Sequence, residues 1–154
     1  MKKVLIVLAL VALAIVPVAA KGFGIGLEAG NPSGVTFAYD IDEKWDGYAT
    51  VGFAFASGAL DAVVGGQYEV ANFEIGKAEF DVNVGAQAGI FTNFESLGIA
   101  VRGTGSIDYD WTWKDVGDFT AYLRLGFGVG IGLTGDSAGA GFSWSGALGC
   151  VYYL

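Results

Sequence analysis

The sequence predicts an all-β protein, an eight-stranded antiparallel up-and-down transmembrane β-barrel. Three observations lead to this fold class. Apolar residues alternate with polar or small ones at a period of two almost everywhere after residue 20, and no segment there keeps a helical period. The connections between the alternating runs are too short for the crossovers that parallel strands need. The face opposite the apolar one carries no lysine, which is unusual for a surface in water.

The first twenty residues have the pattern of a secretory signal peptide. Lys2 and Lys3 precede an unbroken apolar run, 4–16, which Pro17 ends, and small residues lead to a predicted cleavage site at Ala20. The apolar run is short for a retained anchor, because a spanning helix needs about 20 residues. We therefore assign these residues to a leader.

The predicted mature chain, 21–154, is one strongly acidic domain. Without Lys2 and Lys3 it keeps 8 − 2 = 6 basic residues against 16 acidic ones, a net charge of −10. Nucleic-acid binding requires a basic face, so we expect no nucleic-acid partner. The 26 glycines follow no three-residue period and accompany many aromatic and β-branched residues. This composition indicates an ordered structure rather than a collagen-like or disordered one.

Eight alternating runs follow one another along the mature chain. They are separated by polar connections and turn signals such as Gly30-Asn31-Pro32-Ser33 and Ser57-Gly58. Several are long enough for the ~9–11 tilted residues that a membrane strand needs. The predicted strands are 22–30, 34–41, 47–56, 59–70, 78–90, 97–109, 119–133 and 139–154.

An even number of strands places both termini at one end of the barrel, which we expect to be periplasmic. The connections at 42–46, 71–77 and 110–118 lie at that end. The external connections, at 31–33, 57–58, 91–96 and 134–138, are short, so a large adhesive surface is not expected.

The chemistry of the two strand faces distinguishes a membrane barrel from a soluble one. A soluble, lipocalin-like barrel keeps its apolar face inside, whereas a membrane barrel turns that face to lipid. Here the opposite face is mostly Gly, Ala, Ser and Thr with some acids, Arg102 and Arg124, which suits a crowded interior. Aromatic residues also collect near both sets of strand ends, as girdles do. One group is Phe23, Trp45, Phe73, Tyr109, Trp111, Trp113, Phe119 and Tyr152, and the other is Phe55, Phe91, Phe94, Phe142 and Trp144.

These features resemble the small bacterial outer-membrane β-barrels, such as the membrane domain of outer membrane protein A and its eight-stranded relatives. The C-terminal segment GCVYYL is similar to that family's assembly signal, with Gly149, Tyr152 and Leu154 at the matching positions. The turn at 30–34 also resembles small spirochaete-type barrels. The resemblance implies a monomer in the cell outer membrane, in contact with outer-membrane lipid and inserted by the outer-membrane insertion machinery.

Catalytic and metal-binding patterns are missing from the sequence. Without histidine, no Ser-His-Asp arrangement can form, and resemblance to the histidine-dependent lipid A acyltransferases, lipid A deacylases and omptin-type proteases is excluded. Cys150 alone cannot provide a zinc site, and 40–47 lacks the spacing of a calcium-binding EF-hand loop. We expect a non-enzymatic protein with no catalytic, cofactor-binding or metal-binding residues.

The inward polar residues are the candidate functional constellation. Eight strands leave an interior just wide enough for side chains, so we expect these residues to form a network that plugs the lumen. A narrow pore or binding barrel for small polar, cationic or hydrophobic solutes is one alternative, and an envelope or host interaction module is another. The lumen set is Glu28, Asp61, Gln67, Glu69, Glu79, Asp81, Asn83, Gln87, Arg102, Thr104, Asp108, Tyr122 and Arg124.

The seventh, eighth and first strands are predicted neighbours whose inner residues are mostly glycine, as in LRLGFGVGIGLT at 123–134. We expect this glycine wall to leave a volume that the long side chains opposite, with Tyr122 and Arg124, fill.

Overall fold

Eight antiparallel strands, each hydrogen-bonded to its neighbours in sequence order, close into a barrel in the computed structural model, which describes residues 22–55, 58–93, 95–134 and 137–154. The leader, Ala20 and Phe94 lie outside these ranges. Across them, no helix has the length and hydrophobicity needed to cross a bilayer. The strands are β1 Gly22–Asn31, β2 Ser33–Asp40, β3 Trp45–Ala54, β4 Ala59–Ile75, β5 Ala78–Thr92, β6 Ser96–Trp113, β7 Gly117–Thr134 and β8 Ser137–Tyr153.

Pairing of β1 with β8 closes the ring. The Leu154 amide donates to the Phe23 carbonyl over 2.9 Å, so both termini of the described chain lie at one end, which we call the proximal end. Followed from one paired residue to the next through β2 to β8, the register that starts at Gly26 on β1 ends at Gly141 on β8. Across the seam between β1 and β8, however, Gly26 pairs with Val151. The offset, 151 − 141 = 10 residues, is the shear, and it requires strongly tilted strands.

The strands fall into a short and a tall group. β1, β2 and β3 contain 10, 8 and 10 residues, whereas β4 to β8 contain 15 to 18. The barrel wall is therefore low on the side of the first three strands and high on the opposite side.

A β-bulge explains why β4 continues beyond its predicted end at residue 70. The pairing with β5 skips Val70 between Glu69 and Ala71, so the alternation resumes with the opposite parity. Phe73 and Ile75 then belong to the outward face. The predicted connection 71–77 shrinks to a two-residue turn, in which Gly76 supplies the positive φ of 69° that such turns require.

Two other proximal connections are also shorter than predicted. β6 and β7 pair from Trp113 and Gly117, leaving 114–116 as the turn where 110–118 was expected. β3 begins at Trp45, and the Asp42 carboxylate accepts the amides of Lys44 and Trp45 over 2.9 and 3.0 Å. The acidic segment at 40–47 thus contains an Asx-type turn.

We expect two glycines on the inner face of β7 to respond oppositely to alanine. A Cβ on Gly128 would overlap the Val101 carbonyl oxygen, whereas a Cβ on Gly132 meets nothing within 4 Å. Gly128→Ala should lower the free energy of unfolding by about 1–3 kcal/mol, because the β6–β7 backbone must move. Gly132→Ala, the matched control, should stay within about 0.5 kcal/mol of the parent. Urea titration of refolded protein measures both, and equal midpoints would contradict this packing.

Candidate functional site

The two faces of the barrel wall have inverted chemistry relative to a water-soluble protein. The outward residues of β7 from Leu123 to Leu133 are each 44–66% exposed. Charged and polar side chains instead fill the inside. The buried ones are Glu28, Thr36, Thr50, Asp61, Gln67, Asn83, Gln87, Arg102, Thr104, Ser106, Arg124 and Ser145.

Five side chains meet across the lumen at mid-height and form a group that we call the central plug: Glu28, Tyr48, Gln67, Tyr122 and Arg124. The Arg124 guanidinium carbon lies 3.4 Å from the ring centre of Tyr48 and 4.5 Å from that of Tyr122. Its Nη1 is 3.8 Å from Glu28 Oε2, and its Nε donates to Gln67 Oε1 over 3.2 Å. Cation–π contacts and an ion pair therefore hold the same buried cation.

Hydrogen bonds join members of the central plug to each other and to side chains outside it. Within the plug, the Tyr122 hydroxyl donates to Glu28 over 2.6 Å. Outside it, Gln87 accepts from the Tyr48 hydroxyl over 2.8 Å. Gln87 in turn donates to Ser145 over 2.8 Å. In the proximal direction, the Gln67 amide donates to Ser106 over 2.8 Å.

Ser106 connects this network to the proximal half of the lumen. Its hydroxyl donates to Asp108 over 2.6 Å and accepts from the Asn83 amide over 3.5 Å. Side chains from seven strands, all but β2, are thus linked through the centre of the barrel.

A second buried charged group, which we call the distal layer, consists of Asp61, Arg102 and Ser143. Arg102 Nε donates to Ser143 Oγ over 2.9 Å. Arg102 and Asp61 are only 4% and 6% exposed, yet no ion pair within 4 Å joins them among the described residues. Asp61 Oδ1 and Arg102 Nη1 have no hydrogen-bond partner there, nor does Thr104 Oγ1. Among the described residues, Arg124 thus has an acidic partner within 4 Å and Arg102 has none.

The glycine wall is packed in its proximal part and open in its distal part. The Tyr122 ring covers Gly149, and the Tyr48 ring covers Gly65 on β4 in the same way. In contrast, Cβ atoms on Gly132, Gly139 and Gly141 would meet nothing within 4 Å. The predicted filling of the glycine wall therefore applies to its proximal part only.

A water-accessible cavity of about 790 Å³, the proximal vestibule, occupies the proximal end of the lumen. Asp46 experiences repulsion from Asp40, Asp81, Asp108 and Asp110 across it. Two cavities that border the central plug measure about 30 and 10 Å³, room for one or two water molecules at about 10–15 Å³ each. The carboxylates that line the vestibule belong to Asp40, Asp42, Glu43, Asp46, Glu69, Asp81, Asp108, Asp110 and Asp118.

The predicted lumen set thus divides among several places. Glu28, Gln67, Tyr122 and Arg124 form the plug, and Gln87 is bonded to it. Asp61 and Arg102 lie in the distal layer, while Glu69, Asp81, Asn83 and Asp108 line the vestibule. Glu79 is not among the residues that the structure brings together: it is exposed on the β4–β5 hairpin, opposite Glu74.

Sequence reasoning missed several members of the network. Tyr48, Thr50 and Ser106 have the inward parity of their strands, and that parity was the available signal. Asp46, Asp110 and Asp118 were assigned to connections, because the strands reach further at the proximal end than predicted.

Among the aromatic residues that the structure describes, those at the proximal end form a continuous row. The rings of Phe73, Phe80, Tyr109, Trp111, Phe119 and Tyr152 follow one another at centroid distances of 5.1–5.6 Å. At the other end, Phe53 contacts Phe55 at 5.0 Å and Phe127 contacts Phe142 at 6.2 Å. Phe91 lies near this set of strand ends, as predicted, but its ring turns inward over Gly98.

The C-terminal residues that resemble an assembly signal take part in barrel closure. Gly149 lies beneath the Tyr122 ring, and the Tyr152 hydroxyl donates to the Val116 carbonyl over 3.0 Å. Cys150 is exposed on the outward face and is a free thiol. In the described ranges, no group of three or more acidic, His or Cys side chains is arranged to hold a metal ion.

No family model, curated protein or solved structure matches this chain.

The ion pair of the central plug generates a stability prediction. Arg124→Gln leaves the Glu28 carboxylate buried without its cation, which should cost about 3–5 kcal/mol of unfolding free energy. The double variant Glu28→Gln/Arg124→Gln removes both charges and should recover part of that loss. Urea unfolding of the refolded variants measures both. If the double variant lost as much unfolding free energy as Arg124→Gln and Glu28→Gln lose together, the pairing would be contradicted.

Proposed function

We propose that the protein is a non-enzymatic integral protein of the bacterial outer membrane, a structural β-barrel whose lumen is closed by the central plug. The inverted chemistry of its wall carries this proposal. Side chains such as Leu27, Phe142 and Leu148 are 63–75% exposed, whereas Glu28 and Arg124 are each 7% exposed. A water-soluble barrel would bury the first group and expose the second, whereas lipid requires the observed arrangement.

The proximal row of aromatic rings supports a membrane location. Tyr and Trp concentrate where a barrel crosses from hydrocarbon to headgroups. Trp45 and Tyr68, whose tilted rings have centres 5.2 Å apart, add a further aromatic pair on β3 and β4. Polar turns with lysines, Lys44, Lys77 and Lys114, follow directly beyond it. Bilayer lipid is therefore the partner that the outer surface fits best.

The closed ring supports insertion as a monomer. Every strand, including β1 and β8, pairs with a neighbour on each side over at least part of its length, so no second chain is needed to close the ring. In this proposal, the outer-membrane insertion machinery reads the end of β8, where Gly149, Tyr152 and Leu154 lie beside the seam with β1.

A cation path is the second candidate function, and the vestibule favours it. Nine carboxylates line a cavity of about 790 Å³ that ends at the plug, and such a site concentrates cations. In this alternative, thermal opening of the plug admits small cations. Steady, cation-selective openings of the unmodified protein in planar bilayers would favour this function over the structural one.

We expect conductance to depend on Tyr48. The parent protein should show no steady openings in a planar bilayer, because Tyr48 and Arg124 fill the lumen. Tyr48→Ala removes the ring over Gly65 and Arg124, so steady openings should appear. Tyr68→Ala, an outward tyrosine lost from the aromatic row, is the matched control and should stay closed.

Faster gel migration of unboiled than of boiled samples verifies that each variant is folded. Steady openings of the parent, or a closed Tyr48→Ala variant that is folded, would contradict the plug.

A further inference from the structure

The apolar outer surface has very different heights on the two sides of the barrel. On β1 it extends from Phe23 to Ala29, and on β7 from Phe119 to Leu133. Tilted strands advance about 2.5 Å per residue along the barrel axis, so these spans are about 15 Å and about 35 Å high. A membrane barrel normally presents an apolar band of about 25 Å. The side formed by β1 and β2, the short wall, falls below this value.

Polar groups end the short wall abruptly. The β1–β2 turn begins at Gly30, whose amide donates to Ser33 Oγ over 2.8 Å and whose carbonyl accepts from it over 3.0 Å. Asn31 follows, and beyond it neither β1 nor β2 provides further wall. In a bilayer of full thickness, these groups would lie within the hydrocarbon.

A free strand edge lies directly above this turn. β1 pairs with β8 only as far as Asn31 and Gly146, so Ser137–Ser145 have no partner on that side among the described residues. The Asn31 amide reaches only the Trp144 carbonyl, over 3.5 Å. Hydrocarbon does not tolerate an open sheet edge, because its backbone groups lack hydrogen bonds. The free edge therefore requires water or headgroups at a height where β7 still presents apolar side chains.

We propose that the bilayer thins along the short wall, so that lipid headgroups and water of the external leaflet descend to the β1–β2 turn and solvate the free edge of β8. The proposal rests on the proposed membrane location. Tilting the whole barrel does not remove the mismatch between the short wall and the bilayer. Whatever the direction of the tilt, the apolar surface of the short wall stays lower than the usual apolar band of a membrane barrel. Local thinning is the usual response of a bilayer to a short hydrophobic surface.

Spin labels at matched heights test this inference in the folded protein. In a Cys150→Ser background, Ala29→Cys places a label on the short wall, and Leu125→Cys places one on β7. Ala29 pairs with Leu148 on β8, and Leu148 pairs with Leu123 on β7. Because the strands are tilted, it is Leu125 rather than Leu123 that lies at about the height of Ala29. Both sites face outward and are exposed, so both substitutions should be tolerated.

The collision rate of each label with a water-soluble nickel complex, divided by its collision rate with oxygen, is measured in vesicles of 16–18-carbon phosphatidylcholine. We expect this nickel-to-oxygen ratio to be several-fold higher at Ala29 than at Leu125. Equal protection of both labels from nickel would overturn the thinning and leave the membrane location intact. Protection of Ala29 that disappears on dilution of the protein in lipid would assign the short wall to a second copy and also overturn it. High nickel access at both labels would instead contradict the membrane location itself.

Discussion

The contact between Arg124 and Glu28 is the interaction on which the rest of the lumen depends. A buried guanidinium is stable only when its charge and its donors are satisfied, and here Glu28, Gln67 and the rings of Tyr48 and Tyr122 do so together. The two rings need space against the wall, which is why glycine stands at 65 and 149. The small residues weaken their strands locally, but they allow large side chains to close a lumen that eight strands make narrow.

The strand order and the facing of most residues could be predicted from the sequence, because a period of two converts directly into an inner and an outer face. The end of β4 could not, since the bulge at Val70 reverses parity and makes 71–75 look irregular. The sequence alternation predicts that Tyr48 points inward. Its position over Arg124, however, depends on how the rings of Tyr48 and Tyr122 pack together inside the lumen. Likewise, composition alone cannot tell that Arg102 bonds Ser143 rather than Asp61.

The structure changes the interpretation of the alternating glycines at 123–134. Gly126 and Gly128 pack closely against neighbouring groups, whereas Gly132 borders open space. One strand thus contributes both to a closed centre and to an open distal rim. The barrel is also uneven around its circumference, because three short strands adjoin five long ones. The height of the outer apolar surface therefore varies around the ring.

The central claim is that the outward face contacts lipid, and the single native cysteine tests it most directly. Cys150 is exposed on that face, beside Leu27 of β1 and Ala121 of β7. In refolded protein in vesicles, its reaction with a charged, membrane-impermeant maleimide should be strongly suppressed, while an apolar maleimide should still label it. Unfolding in urea should restore the charged reaction. Equally fast charged labelling of the vesicle-bound and the unfolded protein would contradict the account.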